Sequence, residues 1–393
     1  MKNILILAAG APAWKPSFIE SLNRYGIKPL GIVESSHKTP EFDACFANLY
    51  GVSSLNNIDE VLHAAKWLHK NFNFELIECF EEHWKRLEAD IREAVKLPGR
   101  TRADLAKTSS KTHMKQVFAD VGVKVASSVF AETLDECLQK AEGKRYPMFA
   151  KPDMGVGAQG TFRIDSANDF QKIVPYGQEN RFPEKYIVED LLEGEIITFD
   201  GLVDFEGNIV NCFQLQYPDV AQIVSGKSDQ CVMIAQDFPD DFLIMGRNIV
   251  DSYQMHGEFF HVEFKNESDG LYGMDANIRL CGACAPWMYG STLIDSIPDR
   301  WARMIAGEVL APKLTLDRCG AMICRRDESD VHFEPYRHDH NEILHHLGNR
   351  LLYLKSFEPC FRDNLNTYAY FVRAEAFSEL EEMRSFIQTK LYS

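Results

Sequence analysis

The chain of 393 residues is 45% hydrophobic and 25% charged, an ordinary composition that predicts a soluble globular protein of two or three domains. Its 42 basic and 58 acidic residues give a net charge of −16, which argues against nonspecific binding to nucleic acid or to an anionic membrane. We find no apolar run long enough to span a bilayer and no signal peptide, and the ten cysteines lack the spacing of a disulfide framework, so we expect a cytoplasmic protein.

The first hundred residues alternate between strand and helix patterns. Apolar runs bounded by turn residues predict strands, and apolar positions at helical spacing predict helices. The strands are expected at 3–9, 28–34 and 74–80, and the helices at 17–26, 59–70 and 81–95. This order predicts a doubly wound parallel sheet. The first turn, AAGAPAW at 8–14, has one glycine where a dinucleotide fingerprint needs three, so a Rossmann dehydrogenase is disfavoured.

A second unit opens with a helix that carries a lysine near its start. Ser109 or Ser110 is predicted to cap this helix, which begins close to Lys111 and ends at Gly122.

A glycine-rich loop follows the next strand. Lys151 ends an apolar strand directly before this loop, whose glycines are Gly155, Gly157 and Gly160. Glycines let backbone N–H groups fold over an anion, and a lysine adds a point charge, so the segment indicates phosphate binding. The lysine precedes the glycines, which excludes a P-loop. A simple hairpin is an equally good interpretation of the glycines alone.

Two further strands are joined by a short linker at 190–194. Glu189 and Glu195 flank it, and the apolar Leu192 lies within it. A free backbone N–H and C=O beside an apolar side chain suit the edge of an adenine, and a carboxylate suits ribose hydroxyls. An ordinary connection with solvated acids is the alternative.

The segment 257–282 is predicted to form a hairpin with one charged face. Alternation with period two places His261 and Glu263 on that face of the first strand, and Asp275, Asn277 and Arg279 on that face of the second. Met274, Ala276, Ile278 and Leu280 then point to the other side. Glu263 and Asp275 fall opposite each other, within about 5 Å at Cβ. Two facing carboxylates repel, and Mg²⁺ would resolve that repulsion; a hairpin with a solvated charged face is the alternative.

The last eighty residues carry weaker signals. Strands are expected near 314–326 and 367–377 and a closing helix near 378–391. The histidines at 338, 340, 345 and 346 lack a matching ligand pattern, so a solvated polar helix is favoured over zinc. The single CxxC, Cys281 to Cys284, lacks a second pair and is interpreted as structural.

These motifs together resemble the ATP-grasp superfamily. The order and the spacing of the motifs both match that superfamily, from about residue 107 to 282. The segments that carry the resemblance are Lys111 before Gly122, Lys151 before its glycine loop, Glu189-Asp190-Leu191-Leu192 followed by Glu195, and Glu263 twelve residues before Asp275-x-Asn277-x-Arg279. The first unit looks like the domain that precedes the grasp fold in that superfamily. Within the superfamily the chain looks most like the carboxylate–amine ligases that join amino acids.

The resemblance implies a fold class and a domain order. We expect an α/β and α+β protein in which a doubly wound parallel α/β domain precedes an ATP-grasp fold of two α+β subdomains, followed by a small α+β extension. The expected bounds are 1–105 for the first domain, 106–200 for the lid subdomain, 201–310 for the catalytic subdomain and 311–393 for the extension.

The resemblance also implies residue roles. Lys111 and Lys151 would contact ATP phosphates, Gly155 to Gly160 would close over them, Glu189 with the Leu192 backbone would read adenine, and Glu195 would hold the ribose. Glu263, Asp275 and Asn277 would bind one or two Mg²⁺ ions, or Mn²⁺, and Arg279 would hold the acyl group, with Lys151 as its catalytic companion. Most relatives carry Glu at the position of Asp275, which puts two-metal occupancy in doubt.

The implied reaction is ATP-dependent joining of a small acid and an amine through an acyl phosphate, releasing ADP and phosphate. A homodimer is compatible with it, and neither nucleic acid nor a membrane is an expected partner. The alternatives are an ATP-grasp carboxylase or nucleotide-pathway ligase that uses another small acid, and an ATP-binding regulatory protein without catalysis. Intact Lys151, Glu263, Asn277 and Arg279 favour an enzyme over a regulator.

Overall fold

The computed structural model describes residues 3–10, 15–154, 160–169, 173, 185–237, 239–282, 285–357, 362 and 366–392. These residues form three β-sheets with helices packed on them. Among them, no helix is both long enough and apolar enough to cross a bilayer.

The first unit is a parallel sheet covered on both faces. Its strands are β1 (Ile4–Leu7), β2 (Leu30–Glu34), β3 (Asn48–Val52) and β4 (Leu76–Glu78), in the order β3-β2-β1-β4. Its helices are α1 (Lys15–Arg24), α2 (Pro40–Asp43), α3 (Ile58–Phe72) and α4 (Lys85–Val95). Along β1, Ile4 and Ile6 pack into the core that includes α1, whereas Leu5 and Leu7 pack into the core that includes α3. The predicted doubly wound sheet is therefore confirmed.

Two details of this unit differ from the sequence expectation. Strand β3 was not predicted, because it lies at the sheet edge and its polar and glycine residues weaken the apolar signal. Strand β4 ends at Glu78 instead of continuing to Phe80, which adopts a positive φ of 59°. A 3₁₀ turn, Glu82–Trp84, then leads into α4.

The second unit is a four-stranded antiparallel sheet with one helix against it. It follows helices α5 (Arg102–Ser109) and α6 (Lys111–Asp120) and the short strand β5 (Lys124–Val125). Its elements are β6 (Ser128–Ala131), α7 (Leu134–Ala141), β7 (Met148–Pro152), β8 (Phe162–Ile164) and β9 (Tyr186–Asp190), with strand order β6-β9-β7-β8. Ser110 caps α6 by accepting the N–H of His113, and Gly122 has a φ of 80°, as the sequence predicted.

The third and largest sheet has ten strands. It runs β17-β18-β16-β13-β12-β10-β14-β15-β5, with β11 paired to β10. Its strands beyond β5 are β10 (Glu195–Val203), β11 (Ile209–Phe213), β12 (Leu215–Tyr217), β13 (Cys231–Ile234), β14 (Phe259–Glu267), β15 (Gly270–Asn277), β16 (Cys319–Arg325), β17 (Leu351–Ser356) and β18 (Tyr368–Ala374). The helices are α8 (Val220–Val224), α9 (Asp240–Ser252), α10 (Ala285–Thr292), α11 (Ile297–Ile305), α12 (His340–Leu347) and α13 (Phe377–Gln388).

The C-terminal extension continues this large sheet. Strand β16 pairs with β13 over four residues and with β18 over seven, so the last strands share one core with the centre. The expected bound at 105/106 falls inside α5, and that at 200/201 falls inside β10, so neither coincides with a break in secondary structure.

The hairpin β14–β15 has the predicted pairing with one irregularity. Glu263 lies opposite Asp275, and His261 lies opposite Asn277. Between Glu263 and Phe264 the register shifts, because Phe264 pairs with Gly273 and leaves Met274 as an extra residue. Strict alternation through Met274 was therefore wrong: the bulge places Gly273, against the ring of Phe118, on the packed face instead.

Candidate functional site

The centre of the site is the carboxylate pair across β14–β15. Oδ1 of Asp275 is buried and has no hydrogen-bond partner among the described residues. A buried carboxylate oxygen without a donor costs free energy in the apo protein. Asn277 follows two residues later and is half-buried. The hairpin thus places Glu263 opposite Asp275, with Asn277 two residues further along the second strand, and one oxygen of Asp275 has no donor among the described residues.

Two side chains contact the carboxylate of Glu263. The hydroxyl of Tyr217 donates to Oε1 of Glu263 at 2.7 Å, and Nε2 of His261 lies 3.3 Å from the same oxygen. Burial alone would raise the pKa of Glu263, but the hydrogen bond and charge of His261, with Tyr217, hold this pKa below its ordinary value. The carboxylate is therefore ionised, as a metal ligand must be.

A buried polar cluster lies behind Glu263. Nδ1 of His261 is 2.6 Å from Oδ1 of Asp200, and the other oxygen of Asp200 accepts from Thr198 at 2.6 Å and from Tyr289 at 2.8 Å. The thiol of Cys281 lies 4.0 Å from Nε2 of His261. Burial opposes the charge on His261, but the neighbouring Cys281 and Asp200 raise its pKa well above the ordinary value. Sequence reasoning missed this cluster, because only the pairing of β10 with β14 brings Asp200 opposite His261.

Two predicted phosphate-binding lysines approach the carboxylate pair. Burial lowers the pKa of Lys111, and the nearby carboxylate of Asp275 opposes this shift while the charge of Lys151 adds to it. Lys151 is 8% exposed and lies next to last in β7, as predicted. Lys111 therefore lies close enough to both Asp275 and Lys151 for their charges to interact.

Glu189 forms ion pairs with two lysines in this structure. Its Oε1 lies 2.5 Å from Nζ of Lys151, and its Oε2 lies 2.8 Å from Nζ of Lys115. Burial raises the pKa of Glu189, but the two lysines outweigh burial and lower it. The adenine role of Glu189 stays a prediction. Lys115 was missed, although it lies four residues after Lys111 on the same helix face, a spacing that could have indicated it.

Asp153, which the sequence analysis also missed, fixes the start of the glycine loop. One of its carboxylate oxygens accepts the N–H of Thr112 at 2.8 Å, and the other accepts the hydroxyl of Ser110 at 2.8 Å. Its backbone C=O accepts the N–H of Lys111 at 3.0 Å. The loop after β7 is thereby tied to the beginning of α6, which sets the distance between Lys151 and Lys111.

The glycine loop itself is described only at its end. Gly160 has a φ of 70°, a conformation that glycine adopts without strain, and its C=O accepts from the hydroxyl of Tyr186 at 3.2 Å. Gly155 and Gly157 lie outside the described residues, so their phosphate-binding role stays a prediction.

The linker between β9 and β10 leaves one residue with free backbone groups. Leu192 is half-buried, and neither its N–H nor its C=O bonds another described residue. The N–H groups of Glu193 and Gly194 donate instead to Oε1 of Glu267 at 2.7 and 2.9 Å. Glu195 begins β10, and its Oε2 accepts from Gln216 at 2.6 Å. An open backbone donor and acceptor at Leu192 is compatible with the predicted contact with adenine.

Arg279 lies at the boundary with the first unit. Its Nη1 donates to the C=O of Leu280 at 2.9 Å, and its Nε lies 3.6 Å from Oε2 of Glu82. The preceding Glu81 is anchored by the fully buried Lys15, 2.7 Å away. Glu82 was not predicted as a site residue, because nothing in the sequence links the turn after β4 to the end of the hairpin.

The donor set fits a divalent cation with nucleotide phosphates. Glu263, Asp275 and Asn277 offer oxygen ligands, one of them buried and unpaired, and Lys111 and Lys151 supply positive charge beside them. Oxygen donors with adjacent phosphates suit Mg²⁺ better than softer metals.

No family model and no curated protein sequence matches this chain. Solved structures do match over nearly its whole length. The L-amino acid ligase from Bacillus licheniformis has a TM-score of 0.72 at 13% identity, covering 98% of this chain and 96% of that one. N5-carboxyaminoimidazole synthetase from Staphylococcus aureus has a TM-score of 0.69 at 16% identity, covering 98% and 97%.

A third match was solved with ligands. The biotin carboxylase domain of 2-oxoglutarate carboxylase from Hydrogenobacter thermophilus, a dimer with MgADP, ADP and bicarbonate, has a TM-score of 0.71 at 16% identity, covering 99% of this chain and 90% of that one. These similarities establish the ATP-grasp fold, as the motifs predicted. At such low identities they establish the fold alone, and the activity has to be argued from the site.

Proposed function

We propose that this protein is an ATP-dependent carboxylate–amine ligase that joins small acids and amines, among them amino acids. The observation that carries the proposal is the unpaired, buried Oδ1 of Asp275 opposite the ionised Glu263, beside the positive charges of Lys111 and Lys151. A buried carboxylate oxygen without a donor is costly in the apo protein, and a cation held there with the phosphates of ATP would neutralise it.

The reaction follows from where these charges lie. A carboxylate attacks the γ-phosphorus of ATP, ADP leaves, and the resulting acyl phosphate is attacked by an amine, which expels phosphate and gives an amide. A bound Mg²⁺ would neutralise the phosphate oxygens during transfer. Lys111 and Lys151 bind those oxygens and orient them, and the cationic Arg279 stabilises the negative charge that develops on the acyl oxygen. The Leu192 backbone and Glu195 bind adenine and ribose.

The pair Arg279–Glu82 favours amino acids as substrates. The two groups lie 3.6 Å apart and present a cation and an anion side by side. This spacing matches the carboxylate and ammonium groups of an α-amino acid, each of which would meet an opposite charge. Of the three similar structures described above, one is an amino acid ligase and one holds bicarbonate, so bicarbonate belongs among the acids tested.

The test is product formation over a matrix of acids and amines with hydroxylamine as a trap. We expect ADP and phosphate to be released only when both an acid and an amine are present. Hydroxylamine should convert the acyl phosphate to a hydroxamate when the correct acid is supplied alone. Arg279→Ala should abolish hydroxamate formation, because the carboxylate of the acid substrate is no longer oriented for attack on the γ-phosphorus.

The control for this substitution is Arg318→Ala. Arg318 also forms an ion pair at 3.6 Å, with Glu375, but in the C-terminal extension. Its loss should leave hydroxamate formation unchanged. AMP and pyrophosphate as products, or ADP release that never depends on an acid and an amine, would refute the proposed function.

A further inference from the structure

Three neighbouring strands of the large sheet carry a continuous chain of buried polar groups. Asp200 on β10 faces His261 on β14, and Tyr217 at the end of β12 reaches Glu263 on β14. Asp200 is 1% exposed and His261 is 4% exposed, so this chain crosses the protein interior and ends at the candidate metal site. Buried polar networks are costly unless every member is satisfied, and here nearly every group has a partner.

Both donors to Glu263 converge on the same oxygen. Tyr217 donates to Oε1 at 2.7 Å, and Nε2 of His261 lies 3.3 Å from Oε1. The carboxylate is thus fixed in orientation through Oε1, and its second oxygen, Oε2, takes part in neither of these two contacts.

At the far end of this series of buried polar groups, Asp200 holds the imidazole of His261 in place. Oδ1 of Asp200 lies 2.6 Å from Nδ1 of His261, while Thr198 and Tyr289 donate to Oδ2. With Nδ1 facing a carboxylate, the ring cannot rotate without breaking that contact, and Nε2 remains aimed at Glu263. Partners of this kind set the orientation of metal ligands in proteins, and their loss lowers metal affinity about 10- to 100-fold.

We propose that Tyr217 and His261 are positioning residues that hold Glu263 as a one-oxygen ligand for the divalent cation. Glu263 and Asp275, on the two strands of the hairpin, would hold the cation. This inference rests on the proposed function in one respect, namely that Glu263 binds a metal ion. In this inference Tyr217 and His261 act on the cation only through Glu263.

The test measures cation binding directly, with Mn²⁺ as a paramagnetic probe and ADP present, on the full-length protein. Electron paramagnetic resonance of free Mn²⁺ gives its dissociation constant without relying on turnover. Tyr217→Phe removes one hydroxyl and should weaken Mn²⁺ binding about tenfold or more. His261→Gln keeps an amide donor near the place of Nε2 but loses the contact with Asp200. Its Mn²⁺ affinity should lie between those of the wild type and Tyr217→Phe.

The matched control is Tyr336→Phe. The hydroxyl of Tyr336 also donates to a carboxylate at 2.7 Å, but that carboxylate is Asp229, which is itself paired with Arg326 and Lys390. This variant loses an equivalent hydrogen bond and should bind Mn²⁺ with the affinity of the wild type. Its melting temperature shows what the lost bond costs in stability alone.

The outcomes separate this inference from the proposed function. Equal Mn²⁺ affinities for Tyr217→Phe and Tyr336→Phe would overturn the positioning role while leaving the metal site intact. A wild-type protein that binds no Mn²⁺ in the presence of ADP would instead overturn the proposed function. If Tyr217→Phe and His261→Gln both failed to fold, the cluster would be a structural core and the inference would be rejected.

Discussion

At the scale of single residues, a carboxylate without a partner separates a functional role from a structural one. Within the part of the chain that the structure describes, Oδ1 of Asp275 has no donor, whereas the oxygens of Asp200 have three hydrogen-bond partners. A group that contributes nothing to the apo fold can be changed without loss of stability, and a group that accepts several buried hydrogen bonds cannot. Asp275 and Asp200 therefore serve as a matched pair for comparing the effects of Asp→Asn substitution on activity and on stability.

We expect Asp275→Asn to abolish ADP formation and to change the apo melting temperature by less than about 2 °C, because no hydrogen bond to Oδ1 is lost. Asp200→Asn should destabilise the apo protein by about 1–3 kcal/mol, since it disturbs three buried bonds. Thermal melts without nucleotide, with turnover assays alongside, measure both effects. A large drop in melting temperature for Asp275→Asn would favour a purely structural hairpin.

At the residue scale, the sequence predicted strand positions where the signal was local. The positions of Lys151, Glu263 and Asp275 in their strands were predicted because those strands have clear alternation or a clear end, whereas their roles stay a prediction. Asp153 and Glu82 were not found, since each acts on a residue far along the chain. Their partners become visible only when the strands and helices are assembled.

At the scale of elements, the linker between β9 and β10 carries the predicted contact with adenine. It is held by Glu267, through the N–H groups of Glu193 and Gly194, and by Lys265, which donates to the C=O of Gly194 at 2.9 Å. A Cβ on Gly194 would meet the backbone O of Asn266 at 2.1 Å, a distance that forces the backbone to move. Glycine is required here by close approach to β14.

We expect Gly194→Ala to weaken ATP binding about tenfold, the effect of losing roughly 1.4 kcal/mol as the Leu192 backbone shifts. The control is Gly290→Ala in α10, where an added Cβ would meet nothing within 4 Å. It adds the same methyl group in open space and should leave ATP binding unchanged. Calorimetric titration of both variants measures the difference, and equal affinities would remove the linker from the nucleotide site.

At the scale of the whole molecule, the candidate site is assembled from separate bodies. Lys151 comes from the second sheet, Glu263 and Asp275 come from the large sheet, and Arg279 meets Glu82 of the first unit. A ligand that touches all three bodies stabilises their arrangement, because it binds the folded protein and not the unfolded chain.

We therefore expect MgADP to raise the melting temperature, with a stabilisation of about 2.7 kcal/mol at a hundredfold excess over its dissociation constant. A chelator should remove most of this shift, because the nucleotide phosphates would then face the carboxylate pair without a cation. NAD should give no shift. Stabilisation by NAD but not by MgADP would contradict the nucleotide site.

The sequence by itself determined the local elements and the strand faces on which the candidate site residues lie. The apolar β1, the Ser110 cap, the strand that ends near Lys151 and the facing of Glu263 and Asp275 all follow from short-range periodicity and turn chemistry. The sequence did not predict the bulge at Met274, because one extra residue alters the strand register without changing the composition.

Only the tertiary structure decided which groups share an environment. It placed Glu189 between Lys115 and Lys151, Asp200 behind His261, and Glu82 beside Arg279, and it joined the C-terminal strands to the large sheet. The reason is physical: hydrogen bonds and ion pairs act over a few ångströms of space, and the sequence separations here run from tens of residues to nearly two hundred. Periodicity reports the face on which a side chain lies, whereas its partner is set by how the sheets pair.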